Sequence, residues 1–327
     1  MKLMVTGTAG HLGEALARTL RGLGHEVAGL DILPSPYTTE RVSIVDREGV
    51  KRAMAGVEAV FHAAALHKPH VATHRRQDFV DVNVTGALNL LEEAKAAGAK
   101  AFIFTSTTSV FGDALTPAPG APAAWITEGV TPEPKNIYGV TKAAAEDLCA
   151  LFHRNHGLPC VVLRTSRFFP EPDDNRSVRE DYPDENAKVN ELLFRRVDIE
   201  DAVSAHIRAW ERAPALGFRR YVVSATTPFH EGDLAGLARD AASAVRARVP
   251  EFEAEYRRRG WRMFPRIDRV YVNARARDEL GWRPRHDFAS AIERLGRGEP
   301  PGGALARIVG AKGYHAETFA DGPYPVE

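Results

Sequence analysis

A chain of 327 residues with 43 basic and 43 acidic side chains carries no formal net charge, so no polyanion-binding face is indicated. At 44% hydrophobic and 26% charged it has an ordinary globular composition, with length for roughly two domains. Two cysteines, Cys149 and Cys160, exclude a disulfide framework, and the longest apolar runs are too short to span a bilayer.

The first strand is predicted already at 2–6, with no signal peptide ahead of it, and the expectation is a cytoplasmic chain. Further strands are predicted at 26–31, 42–44, 59–62, 101–105 and 160–164. Between them lie amphipathic helices at 12–23, 47–55, 79–97 and 138–156. This alternation predicts right-handed crossovers and a parallel sheet covered on both faces, an α/β doubly wound fold of Rossmann type. The Pro- and Ala-rich stretch 116–134 reads as a long loop. After Arg164 the pattern loosens: 170–190 is crowded with Asp, Glu, Pro and Asn, a helix returns at 197–212, and 221–224 reads as another strand. Residues 1–165, completed by about 195–226, are read as a dinucleotide-binding domain. Residues 166–194 and 227–327 then form a small, partly truncated substrate domain and a tail.

Thr6-Gly7-Thr-Ala-Gly10-His11-Leu12-Gly13 follows the first strand and opens the first helix. Gly7 permits the tight turn, Gly10 lets backbone approach a pyrophosphate, and Gly13 lets helix and strand pack closely. His11 and Leu12 begin the helix whose free N–H groups face the phosphates. Asp31 stands about 20 residues beyond the loop, where a carboxylate accepts from a ribose hydroxyl and repels a 2′-phosphate, so NAD is expected over NADP. Asp46 is placed either to bind an adenine amino group or to cap the helix before Glu48. Tyr138-Gly-Val-Thr-Lys142 sets a phenol and an ammonium on one helix face. The lysine charge is expected to lower the tyrosine pKa toward that of a general base.

Together with His62-Ala63-Ala64-Ala65, Asn83-Val-Thr-Gly86, Phe104 to Gly112, Val197 to Asp201 and Ala274 to Trp282, these motifs run in order over roughly residues 2–285. The sequence resembles the extended short-chain dehydrogenase/reductase family, in its nucleotide-sugar epimerase/dehydratase branch. The resemblance implies that Tyr138 is the acid/base, that Lys142 binds the nicotinamide ribose, and that Thr107 hydrogen-bonds the reacting oxygen. It implies that Ala63, Ala64 and Ala65 lie close to the nicotinamide side of the cofactor and that Asn83 holds backbone geometry beneath it. It also implies a homodimer through the helices at 79–97 and 138–156. Dehydratases of this branch carry an acidic pair after the catalytic Thr, where this chain has Thr108-Ser109.

Three departures concern the substrate. Arg167 replaces the family's asparagine, either as a fork for carboxylate or phosphate or in a salt bridge to Glu171 or Asp173. The segment between Pro170 and Val197 is short and acidic. Arg257, Arg258, Arg259, Arg262 and Arg266 precede the last motif, where relatives hold a substrate diphosphate. His67, Thr108, Arg167 and Arg266 are therefore the candidate substrate contacts. His62, His67, His70 and His74 lack metal-ligand spacing, and no metal is expected. The aromatic tail from Gly310 onward reads as a docking segment. These features predict an NAD-dependent epimerase-type enzyme acting on a secondary alcohol of a sugar or sugar nucleotide. The alternatives are a dehydrogenase of a smaller sugar, alcohol or ketone, and a non-catalytic NAD sensor.

Overall fold

A computed structural model describes residues 1–313 and Phe319. Strand β1 (Lys2–Thr6) leads to helix α1 (His11–Gly22), then β2 (Glu26–Asp31), β3 (Glu40–Arg41) and α2 (Arg47–Ala53). β4 (Ala59–His62), α3 (Arg76–Phe79), α4 (Gly86–Ala96), β5 (Ala101–Thr107) and β6 (Ala124–Ile126) follow. Next come α5 (Ile137–His156), β7 (Cys160–Thr165), α6 (Arg176–Asp181), α7 (Asp184–Glu191), α8 (Ile199–Leu216) and β8 (Phe218–Val223). The chain continues through α9 (Leu234–Arg239), α10 (Ala241–Arg248), α11 (Phe252–Arg259), β9 (Arg269–Tyr271), α12 (Ala274–Leu280), α13 (Phe288–Gly296) and α14 (Ala304–Val309). None of the described helices is long and apolar enough to cross a membrane.

Seven strands form one parallel sheet in the order β3-β2-β1-β4-β5-β7-β8. Alternate residues of each central strand feed opposite cores. Leu3, Val5, Phe61 and Ile103 pack toward α1 and α8, while Met4, Val60, Phe102 and Phe104 pack toward α2, α4 and α5. Central strands buried on both faces read as continuous apolar runs, which is why these strands were visible in sequence. A third core, with Leu193, Leu237, Val245, Phe288 and Leu295, joins α7 to the later helices.

Several expectations are corrected. The third strand is Glu40–Arg41, not 42–44, because the pairing register runs Leu30 with Glu40 and Asp31 with Arg41. The helix expected at 79–97 is interrupted by a π-helical turn, Val80–Thr85, before α4. The presumed loop 116–134 contains β6, which pairs with β9 in a separate two-stranded sheet. The acidic segment after Pro170 holds α6 and α7. Most of the aromatic tail lies outside the described residues.

Candidate active site

The order of the sheet reverses between β1 and β4, and a crevice opens at the carboxyl ends of the strands there. A cavity of about 730 Å³ occupies it, lined by the glycine loop, Asp31, residues 63–70, residues 105–109, Tyr138, Lys142 and residues 165–169.

Gly7 takes φ +77°, and its N–H donates to the Leu30 carbonyl at 2.8 Å. A Cβ on Gly7 would stand 2.9 Å from the Ala64 nitrogen, and one on Gly13 would stand 1.9 Å from the Gly7 carbonyl oxygen. These two glycines therefore serve packing. Gly10 lines the cavity, and a Cβ there would meet only the Gly7 carbonyl, at 3.3 Å. The Thr6 hydroxyl accepts from the Ala63 and Ala64 N–H groups at 3.1 and 3.0 Å and lies 2.9 Å from His62 Nδ1. With its oxygen taken by these two N–H groups, the Thr6 hydroxyl donates to Nδ1 of a His62 that burial keeps neutral, and the Ala63–Ala64 backbone is fixed beside the glycine loop.

Asp31 accepts from the Ala9 N–H and from the Leu33 N–H, both at 2.9 Å, at the end of β2 on the cavity wall. For Asp46 the capping alternative holds: its carboxylate caps α2 through the Gly49 N–H at 3.0 Å, and it does not line the cavity. Val42, Ser43 and Ile44 stand on that wall instead.

Asn136 caps α5 by accepting from Gly139, which starts the helix one residue before Tyr138 and sets Tyr138 and Lys142 on its inner face. Both are buried, and Thr107 stands opposite at the end of β5. The expectation that lysine acidifies the tyrosine is corrected. Burial pushes the Tyr138 phenol up to about 12, and the hydrogen bond with Thr107 offsets only part of this. Lys142 contributes nothing to that balance: its ammonium sits 4.0 Å from the centre of the Phe104 ring, and burial brings its own pKa down to about 7. Asn83 is a positioning residue and not a wall residue. Its side chain accepts from the Leu66 N–H at 2.9 Å and donates to the Leu66 carbonyl and the Thr141 hydroxyl, tying the loop after β4 to α5.

At the substrate end, His67 packs its ring 5.8 Å from that of Tyr138, and burial holds it neutral with a pKa of about 3. Thr108 lines the cavity from the 3-10 turn after Thr107. Arg167 is ion-paired to Asp173, to Asp174 at 2.6 Å and to Glu191 at 3.3 Å, so the salt-bridge alternative holds for it, with more partners than expected. Arg266 is exposed and absent from the cavity wall. Besides Arg167, the arginines that reach the wall are Arg195 and, on β9, Arg269, both of which sequence reasoning missed. Ser166 was also missed: its Oγ is buried on the wall and has no hydrogen-bond partner among the described residues, which suits a wall that meets a polar ligand.

Lys312 and Gly313 line the same cavity. Their N–H groups donate to Glu171 Oε1 at 2.9 and 3.1 Å, the same oxygen that takes His11 Nε2 at 2.8 Å. Away from the cavity, Asp198, Glu200 and His286 place ligand atoms within 4.8 Å of one another. The Asp198 carboxylate accepts from Gly303 and the Glu200 carboxylate from Leu305 and Arg285, which joins α8 to the chain around α13 and α14.

The glycine cradle, the carboxylate at the end of β2 and the backbone of Ala63–Ala65 fit a dinucleotide, and they define a Rossmann-type dinucleotide-binding protein. Residues 3–223 match the NAD-dependent epimerase/dehydratase family, and the chain belongs to that family. It is 30% identical over 324 residues to a dTDP-glucose 4,6-dehydratase of Streptomyces griseus, covering 89% of this chain and 91% of that one. A uronate dehydrogenase of Pseudomonas syringae pv. tomato is 28% identical over 191 residues, covering 54% of this chain and 62% of that one. The chain spans 39%, 62% and 55% of the length of the first three curated relatives that it matches. In fold it is similar to a short-chain dehydrogenase/reductase superfamily protein of Agrobacterium tumefaciens solved with bound NAD (TM-score 0.63, 23% identity, 94% of this chain and 97% of that one).

Proposed function

We propose that this chain is an NAD-dependent enzyme of the epimerase type, which oxidises and re-reduces a secondary alcohol of a sugar or sugar nucleotide. The observation that carries this reading is the meeting of Thr107, Tyr138 and Lys142 on the wall of the cavity that the glycine loop opens. Gly7, Gly10, His11, Leu12, Gly13 and Asp31 would hold the adenosine and diphosphate end of NAD, and Ala63, Ala64 and Ala65 the nicotinamide end. When bound, oxidised NAD supplies a hydride acceptor and a positive charge.

The Tyr138 oxygen takes the proton of the substrate hydroxyl, and Thr107 orients that hydroxyl by hydrogen bonding. A phenol held up at about 12 is rarely ionised, so positive charge near it is required; oxidised NAD would bring that charge when bound, with Lys142 holding its ribose. Burial of Tyr138 and Lys142 keeps water from the proton transfer and strengthens that charge effect. Returning hydrogen to the other face of the ketone gives the epimer.

The test is turnover of sugars and sugar nucleotides with the NAD pool monitored at 340 nm. Interconversion with NAD remaining oxidised supports the reading, and net NADH formation rejects it in favour of a dehydrogenase. The dehydrogenase reading is second, favoured by the commitment of Arg167 to three carboxylates where a nucleotide diphosphate would need a free cation. Tyr138→Phe should abolish either activity while leaving NAD affinity within about twofold.

The third core, with the acidic segment and the later helices, would form the substrate domain. Assembly as a homodimer through α4 and α5 fits the exposure of Val140 on α5, 48%, and is tested by light scattering against the 35.8 kDa chain mass. Cys149 and Cys160, buried and unpaired, fit a reducing cytoplasm.

A further inference from the structure

At the substrate end of the cavity, the cations are already answered by carboxylates. Asp174 binds Lys68 at 2.7 Å and Arg167 at 2.6 Å, and Asp173 holds Arg167 as well. Glu191 takes Arg195 and Arg196, each at 2.8 Å. Asp173, Asp174 and Glu191 are 7%, 6% and 1% exposed, so an incoming anion that took their cations would strand buried carboxylates. Elsewhere on the wall, Lys135 is bridged to Asp113 at 2.7 Å, and Lys312 to Glu14. Among the described residues, this leaves two lining cations with no carboxylate within ion-pairing distance: Lys142, at the reacting end, and Arg269.

Arg269 is held in place by neutral acceptors. Its guanidinium donates to the Gly112 carbonyl at 3.0 Å and to the Thr116 hydroxyl at 3.2 Å, which orients the group without cancelling its charge. Three of its five N–H donors are left for a ligand. Arg269, its chain neighbour Asp268 and Gly112 line the same cavity as Thr107 and Tyr138, so the guanidinium and the reacting alcohol would share one compartment. A nucleotide diphosphate brings two phosphate charges and needs more than one open cation. One guanidinium fork matches one carboxylate in both charge and shape.

We propose that the substrate is a sugar bearing a single carboxylate and no nucleotide diphosphate, and that Arg269 is the specificity residue that anchors the carboxylate. The proposal rests on the hydride-transfer reading for the reacting end alone.

The experiment measures, by calorimetry on the full chain saturated with NAD, the binding of galacturonate, galactose and UDP-galactose, with turnover followed separately. Galacturonate should bind at least about tenfold more tightly than galactose, and UDP-galactose no more tightly than galacturonate. Arg269→Gln should weaken galacturonate binding by roughly ten- to hundredfold, the worth of a charge-assisted hydrogen bond, and leave galactose and NAD binding unchanged. Arg269→Lys should restore part of the loss. As a converse, Asp174→Asn frees Lys68 while Arg167 stays on Asp173 and Glu191, and should create measurable binding of inorganic phosphate.

Tighter binding of UDP-galactose than of galacturonate overturns the proposal. So does equal binding of galacturonate and galactose, or discrimination that survives Arg269→Gln. Arg269-dependent galacturonate binding without epimerisation or NADH formation would instead reject the hydride-transfer reading and leave the carboxylate site standing.

Discussion

The Ser106 hydroxyl donates to Glu146 at 2.6 Å, and this buried bond joins the strand that ends in Thr107 to the helix that carries Tyr138 and Lys142. Arg164, the register partner of Ser106 on β7, closes the same knot with bonds to both Glu146 oxygens, the shortest 2.8 Å. The hydroxyl and the phenol that must meet one substrate oxygen are thus held together by a carboxylate two turns behind the tyrosine. Ser106→Ala removes the direct link and should cost about 1 kcal/mol of stability. Its kcat should fall by more than that loss explains, with KM nearly unchanged. Glu146→Gln leaves Arg164 unpaired and should cost about 3–5 kcal/mol by urea unfolding. A Ser106→Ala enzyme with wild-type kcat would show that the knot serves stability alone.

Gly10 and Gly13 should respond differently to the same added methyl group. Gly13→Ala drives a Cβ to 1.9 Å from the Gly7 carbonyl oxygen, a backbone atom that cannot swing away, and should destabilise the fold by at least about 2 kcal/mol. Gly10 has φ −84° and ψ 172°, which alanine adopts without strain, and a Cβ there meets protein only at 3.3 Å. Gly10→Ala should therefore fold with a loss below about 1 kcal/mol yet weaken NAD binding at least tenfold. Thermal melts and NAD titrations on both variants check the contrast. Equal losses of stability in the two would refute it.

His206 ties α8 to β5 as a neutral ring. Its Nδ1 donates to the Ala202 carbonyl at 2.7 Å, so its Nε2 must accept from the Thr105 hydroxyl at 2.8 Å. Burial brings its pKa down to about 4. The unfolded chain binds a proton near pH 6.5 that the folded chain refuses until about pH 4, so stability is full above 6.5 and falls as pH drops through that window. The loss is about 3 kcal/mol. Unfolding free energies at pH 7, 5.5 and 4 should slope less steeply for His206→Gln than for the wild type. Parallel slopes would show that the ring does not titrate there.

The parts of the site that were legible in sequence are those whose chemistry is local. The glycine loop, Asp31 and the Tyr138–Lys142 pair each depend on neighbours within one strand, turn or helix. Arg269 was not legible, because its meaning depends on Gly112, 157 residues away, and on the pairing of β9 with β6 inside a stretch that reads as loop. Arg266, three positions earlier, is an equally plausible arginine by composition and is exposed. Arg167 was found as a departure, yet its quenching brings together Asp174, ahead of α6, and Glu191, at the end of α7, which no local pattern reports. The π-helical turn that presents Asn83 was likewise hidden inside an amphipathic run that reads as one helix.

The last prediction concerns the chain segment beside the diphosphate end. Lys312 and Gly313 reach the first turn of α1, where the helix N–H groups would meet the phosphates, and are held there by Glu171 Oε1 and Glu14. Burial opposes the charge on Glu171, but the His11 and Lys312 bonds outweigh it and hold that carboxyl near 2, so the junction persists across the working pH range. An enzyme that must return the hydride it takes benefits from a cofactor that does not leave between half-reactions. A Lys312→Pro variant, which loses the N–H bonded to Glu171, should therefore release NAD at least about tenfold faster than the unaltered chain, with little change in melting temperature, because Lys312 belongs to none of the hydrophobic cores. Glu171→Gln should give a smaller acceleration in the same direction, since Oε1 can still accept but without charge. Stopped-flow displacement of NAD, read by fluorescence, measures the rate. An unchanged release rate in a Lys312→Pro variant that still binds NAD would show that the segment only rests against the site.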